Sequence, residues 1–181
     1  MTTTETVVIR RPEIYVACLS AYNRGKQHGV WIRCDLGENH IERKIKKMLQ
    51  ASPIVGAEEW AIHDYENFGN LKPSEFENLK VIAEAGEFIT EHGELGLELL
   101  EHCGGFDHIE EAKIILKEKY QGAFSTLADW GVQTLETGGE LEFMGNLKKF
   151  FNHEAYAKDC LLKREIFVLH LKNQIHIFAS Y

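Results

Sequence analysis

Residues 84–101 read EAGEFITEHGELGLELLE, and no other stretch constrains the fold as tightly. Its six glutamates, Glu84, Glu87, Glu91, Glu94, Glu98 and Glu101, are spaced 3-4-3-4-3, with no Lys or Arg among them. On an α-helix this spacing places them on one face. Like charges three or four residues apart each cost a helix roughly 0.2–0.5 kcal/mol, and an ordinary solvated face dilutes that cost with lysines. A helix that keeps the charge undiluted must be held by its other side. Phe76, Leu79, Ile82, Ala83 and Ile89 supply an apolar side at helical spacing opposite Glu77, Glu84, Glu87 and Glu91.

The surrounding sequence extends the negative field. Residues 51–145 carry 5 Lys/Arg and 20 Asp/Glu, a net of −15; residues 1–50 are net +4 and residues 146–181 net +3, within a formal total of −8. A field this concentrated repels nucleic acid and attracts basic surfaces. No direct nucleic-acid binding is therefore expected, even though Arg43, Lys44, Lys46 and Lys47 share one short helix. No apolar run approaches the roughly 18 residues of a membrane span, and MTTTETVVIRR lacks the pattern of a secretory signal. Cys18, Cys34, Cys103 and Cys160 form no CxxC pair and read as free thiols of a reducing cytoplasm.

The chain divides by texture. PEIYVACLSAY (12–22) and HGVWIRC (28–34) read as strands joined by the Asn23–Gly25 turn, and EEWAIHDYE (58–66) as a third. NHIERKIKKMLQ reads as a helix behind an Asn39 cap, with Ile41, Ile45, Met48 and Leu49 inward. Ser74 with Glu77 forms a capping-box pattern for the acidic helix, which Gly93 is expected to end. A short helix with Leu95, Leu97, Leu99 and Leu100 follows, then a third from Asp107 to about Lys119. Further helices are expected over 125–137 and 147–162, and IFVLHL and QIHIFASY form a closing hairpin around Lys172-Asn173. The expected fold is α+β with three small domains. These are 1–73 (sheet plus helix), 74–116 (acidic helices) and 117–181 (α+β, dimerising).

No residue set reads as an active site, so the chain is not expected to be an enzyme. DYENFGNLKPSE (64–75) has Asp, Gly and Glu at three calcium-loop positions, but Phe68 and Lys72 stand where oxygen donors are needed. His63-Asp64 lacks a nucleophile in a recognisable elbow. His170 and His176 flank the hairpin turn without a third ligand. Neither GxGxxG nor GxxxxGK[ST] occurs. No cofactor or metal is implied.

Geometry gives the glutamate stripe a second meaning besides solubility. Carboxylates three or four positions apart on a helix lie roughly 5–6 Å from one another, a density comparable to phosphates advancing about 3.4 Å per strand along DNA. A groove lined with Lys and Arg would accept such a surface. PEIYVACLSAYNRGKQHGVWI (12–32), SP with EEWAIHDYENFG (58–69), and LETGGELEF with HEAYAKDCLL (153–162) resemble the ArdA antirestriction proteins, in the same order over nearly the whole chain. The resemblance implies a DNA mimic carried by plasmids or other mobile elements into the bacterial cytoplasm. There it would occupy the DNA-binding groove of a type I restriction–modification enzyme and protect incoming DNA. It implies an elongated, curved molecule and a homodimer through the C-terminal domain. The mimic surface would comprise Glu75, Glu77, Glu84, Glu87, Glu91, Glu94, Glu98, Glu101, Asp107, Glu110, Glu111, Glu118, Asp129, Glu136, Glu140 and Glu142. The family's antirestriction motif matches Leu127–Trp130 through Leu135–Gly138. Leu127, Trp130 and Leu135 recur along that helix and are the expected dimer contact. The alternative partner is another basic protein, with this chain as an acidic adaptor.

Overall fold

The alternation at the start of the chain forms β1 (Glu13–Cys18), with Ile14 and Val16 fully buried. In the computed structural model, which describes residues 11–139 and 141–180, β1 is the central strand of a three-stranded antiparallel sheet. Its neighbours are β2 (Gly29–Arg33) and β3 (Trp60–Glu66). Ile14 pairs with Ile32, and Val16 with Val30 and Ile62. One sheet face is therefore apolar, and Ile41, Ile45 and Met48 of helix α2 (Glu38–Gln50) supply the buried side chains beside it. The strand expected to run to Tyr22 stops at Cys18. Leu19–Tyr22 coils into a single turn, α1, because the Asn23 N–H folds back to the Leu19 carbonyl to begin the reversal. Asn39 is not the α2 cap. Gly37, at φ 84°, turns the chain out of a 3-10 turn at Cys34–Leu36, and its carbonyl takes the His40 and Ile41 N–H groups.

Helix α3 (Leu79–Cys103) carries the glutamate stretch. Its start corrects the expected Ser74 cap. Ser74 N–H and Oγ do donate to the Glu77 carboxylate, at 3.2 and 3.1 Å. However, the Ile62 N–H donates to the Glu75 carbonyl at 2.9 Å and ties this segment to the edge of β3. The helix begins only after Asn78, whose Oδ1 accepts from Lys80 N. Phe76 consequently lies outside the helix and is 69 % exposed. The buried side of α3 is Ile82, Ala83, Ala85, Phe88 and Ile89, then Leu99 and Leu100. Gly86 lets the helix approach the Cys34 turn, since a Cβ there would fall 2.6 Å from Cys34 Cβ. A 3-10 turn (Phe106–His108), with Phe106 edge-on to Phe68 at 5.6 Å, leads into α4 (Ile109–Glu118).

The chain divides into two compact units between Lys113 and Ile114, inside α4. The acidic helix and the first sheet thus belong to one unit. The second unit holds another antiparallel sheet, in the order β4-β6-β5. Its edge strand β4 (Tyr120–Phe124) was not legible in the sequence. Gly122 at φ 127° interrupts the alternation where the register shifts. The expected closing hairpin is present as β5 (Ile166–Leu171) and β6 (Gln174–Ala179). Helix α5 (Leu127–Gly138) starts with a full capping box between Thr126 and Asp129. The helix expected from residue 147 begins later, as α6 (His153–Leu162) behind Asn152. Residues Glu142–Phe150 instead form 3-10 turns broken at Gly145. Phe124, Trp130, Ala157, Cys160, Ile166 and Ile177 form this unit's core. No helix among the described residues is long and apolar enough to cross a membrane.

Candidate functional site

The six glutamates of α3 do not share one environment. Gly93, at φ 61° and ψ −138°, breaks the helical phase between Glu91 and Glu94. The helix end expected at Gly93 is present as this kink, and the six occupy two helical rows rather than the one face their spacing suggests. Glu87, Glu91 and Glu94 are exposed, whereas Glu84, Glu98 and Glu101 are half-buried.

Glu84 and Glu101 are engaged by residues distant in sequence. Lys113 Nζ of α4 lies 3.4 Å from Glu84 and 2.6 Å from Glu110, and Lys80 Nζ approaches Glu84 at 3.8 Å. The stripe that is free of cations in sequence thus acquires two of them at its first member. The ammonium's hydrogen bond holds the Glu110 carboxyl below its ordinary value. Glu101 accepts from the Asn70 N–H at 2.8 Å and from Asn70 Nδ2 at 2.9 Å, pinning the loop after β3.

Several other candidate acids also have local roles. The Glu77 carboxylate receives Ser74 and, at 3.3 Å, the Asn78 N–H. Glu111 meets His108 Nδ1 at 3.0 Å. Asp129 accepts from the Thr126 N–H at 2.9 Å and so belongs to a helix cap. Glu75, Asp107, Glu118, Glu136 and Glu142 are exposed. Glu140 lies outside the described residues. The first unit therefore carries a core set of exposed carboxylates on α3, flanked by others that are partly spent on the fold.

The residues expected at a dimer contact are placed differently. Trp130 and Leu135 are only 3 % and 2 % exposed within the second unit, and Leu127 packs against the same core. Trp130 Nε1 donates to Gln121 Oε1 at 2.7 Å, and its ring stacks on Tyr156 at 6.1 Å. Their apolar surface is consumed inside one chain. Exposed apolar side chains of this unit include Phe143, Leu147 and Phe150, at 87, 62 and 75 % exposure, in the segment beside Lys148 and Lys149, and Leu162 at the end of α6. Sequence reading missed the first three because a 3-10 segment gives no helical period to follow. A hollow of about 780 Å³ lined by Leu135, Leu141, Phe143, Phe151 and Tyr156 lies in the same region.

The remaining sequence candidates disperse. His63 packs edge-on against Tyr22 at 4.7 Å, while Asp64 accepts from the Tyr65 N–H. His176 pairs with Leu169 and His170 with Ile175, so the two histidines point to opposite faces of the hairpin rather than at each other. His176 instead bonds Tyr120 Oη at 2.8 Å, and burial lowers its pKa. The four cysteines are free thiols, and burial pushes Cys34 up to about 12 and Cys103 to about 11, away from nucleophilic reactivity. A groove of about 880 Å³ lies between α2, residues 52–58 and Trp60, and its walls include Ile45, Leu49, Ile54 and Val55.

A comparison with curated proteins gave no match. A family model of the antirestriction protein (ArdA) matches residues 14–171, which takes in the first sheet, the acidic helix, α5 and α6, and ends with β5, before β6. The chain belongs to the ArdA antirestriction family, a family of inhibitor proteins.

Proposed function

We propose that this protein protects DNA from restriction by standing in for it, offering its carboxylates to the basic DNA-binding groove of a type I restriction–modification enzyme. The observation that carries the reading is the net −15 of residues 51–145, with Glu87, Glu91 and Glu94 exposed on one helix, in a chain of the antirestriction family. The mechanism needs no bond-making step. Duplex DNA binds such grooves largely by phosphate neutralisation, and a protein with a comparable charge array competes for the same Lys and Arg side chains. The chain then acts as a stoichiometric inhibitor in the bacterial cytoplasm, not as an enzyme.

Three functional parts support this role: the sheet domain of 1–73, the acidic part of 74–116 and the C-terminal part of 117–181. A homodimer through the C-terminal part would double the acidic array. Its contact is best supplied by Phe143, Leu147 and Phe150, since Trp130 and Leu135 are buried within the chain. Three exposed large apolar side chains within residues 143–150 favour a self-complementary partner.

Competition against duplex DNA for a purified type I enzyme tests the reading. Inhibition should fall as duplex DNA is added and weaken steeply as salt rises. Binding that excess duplex leaves untouched would favour the acidic-adaptor reading, and binding indifferent to salt would end charge mimicry.

A further inference from the structure

The first sheet has a second face, on which Trp31, Asp64 and Glu66 are exposed and Tyr15 and Glu13 half-buried. Strand pairing sets two rows of side chains across it. One row is Trp31, Tyr15 and Asp64; the next is Arg33, Glu13 and Glu66. Tyr15 and Trp31 lie 5.5 Å apart between centroids, with their rings tilted by 50°, and Trp31 is 38 % exposed. Gly29 keeps Tyr15 laid along the sheet, because a Cβ at position 29 would fall 2.6 Å from Tyr15 Cζ and Oη.

The charges beside the rings are mixed. Glu13 faces Arg33 on β2 but directly opposes Glu66 on β3, a like-charge pair that destabilises an antiparallel ladder. Asp64 stands opposite Tyr15 and is exposed, as is Glu66. Arg33, on the same face, is held by Asp35 through two bonds of 2.9 and 2.7 Å and so is engaged beyond the sheet.

From this juxtaposition we infer that the open sheet face is a docking site for arginine side chains of a partner protein. A guanidinium stacked on Tyr15 has a ring face beneath it and Asp64 one strand away on the same face, and a second arginine would meet the Glu13 and Glu66 carboxylates in the next row. Guanidinium suits the site better than ammonium because it is planar, stacks on aromatic faces and forks onto carboxylates. Nucleobases would also stack on the rings, but their phosphates would meet three carboxylates. The natural owner of these arginines, the basic groove of a restriction enzyme, rests on the proposed function; the preference for guanidinium does not.

Binding of an octa-arginine and an octa-lysine peptide to the full chain, measured by calorimetry at one ionic strength, tests the site. The arginine peptide should bind the parent more tightly. Trp31→Ala should weaken it by about 5- to 30-fold, the size of a desolvated cation–π contact, while leaving the lysine peptide nearly unchanged. Trp31→Phe, which keeps a ring, should fall between the two. Asp64→Asn with Glu66→Gln should weaken both peptides. Equal affinity for both peptides, or a Trp31→Ala variant with native circular dichroism that binds arginine as the parent does, overturns the inference. So does an oligothymidylate that competes for this face. Since no restriction enzyme is present, the proposed function can fail with this site intact, and the reverse.

Discussion

Changing Glu87 and Glu91 together to Gln tests whether clustered charge serves binding rather than folding. Both are exposed on the segment of α3 before Gly93. The change removes the repulsions Glu84–Glu87 and Glu87–Glu91. At roughly 0.2–0.5 kcal/mol per pair, the variant should gain about 0.4–1.0 kcal/mol. A weak contact of Glu91 with His92, at 3.8 Å, subtracts little at an exposed site. For a chain of this size about 1 kcal/mol moves Tm by roughly 2–4 °C, so the midpoint should rise by a few degrees while inhibition falls. The contrast is Glu101→Ala. It deletes two charge-assisted bonds to Asn70 and should lose about 1–2 kcal/mol, discounted for partial exposure. Thermal unfolding and an in vitro restriction assay read both properties. A double Gln variant that inhibits as well as the parent would refute the reasoning, and one that melts lower would refute the repulsion estimate.

Two further outcomes follow from local geometry. Replacing Phe143 and Phe150 by Ser should shift sedimentation toward a monomer and leave the core of the second unit folded, whereas a dimer unchanged by both would place the contact elsewhere. Asp35 is held below its ordinary pKa of 3.8 by the hydrogen bond from Arg33. A depressed carboxylate stabilises the fold above its unfolded value and loses that effect as pH falls through the folded one. The stability gap between the parent and Asp35→Asn should therefore be full at neutral pH and close below about 3.8. A gap constant from pH 7 to pH 3 in denaturant titrations would assign the effect to something other than the ion pair.

The legible parts of the fold were those whose signals are local and periodic. β1, β2, β3, the α2 stripe and the terminal hairpin follow from alternation or helical spacing, and each stands close to its expected place. The errors fall where a long-range bond decides. Ser74 and Glu77 make the local capping contact, yet the Ile62–Glu75 backbone bond holds the segment extended past it. β4 escaped because Gly122 hides its pattern, and its partner β6 lies more than fifty residues away. At the candidate site, sequence located the carboxylates but not their neighbours. Lys113 is twenty-nine residues from Glu84 and Asn70 is thirty-one from Glu101, so no spacing rule links them. Trp130 shows the converse. A large apolar residue on an amphipathic helix is equally suited to a core or an interface, and only the Tyr156 and Gln121 contacts decide between them.

The acidic excess of the middle segment thus serves two ends. Some carboxylates act as ordinary structural acceptors: Glu77 on the Ser74 turn, Glu101 on Asn70, Asp129 on the α5 cap, Glu84 and Glu110 on Lys113. Each of these has a cation or N–H partner that makes its charge useful to the fold. Glu87 and Glu91 stand apart, since folding gains nothing from their proximity to each other and loses a little through repulsion. Solubility alone does not ask for this placement, because the same net charge could be dispersed among lysines without like-charge neighbours. Clustering costs stability in the free protein and returns it only when a cationic surface arrives. The side chains most worth changing are therefore those whose removal makes the isolated chain more stable.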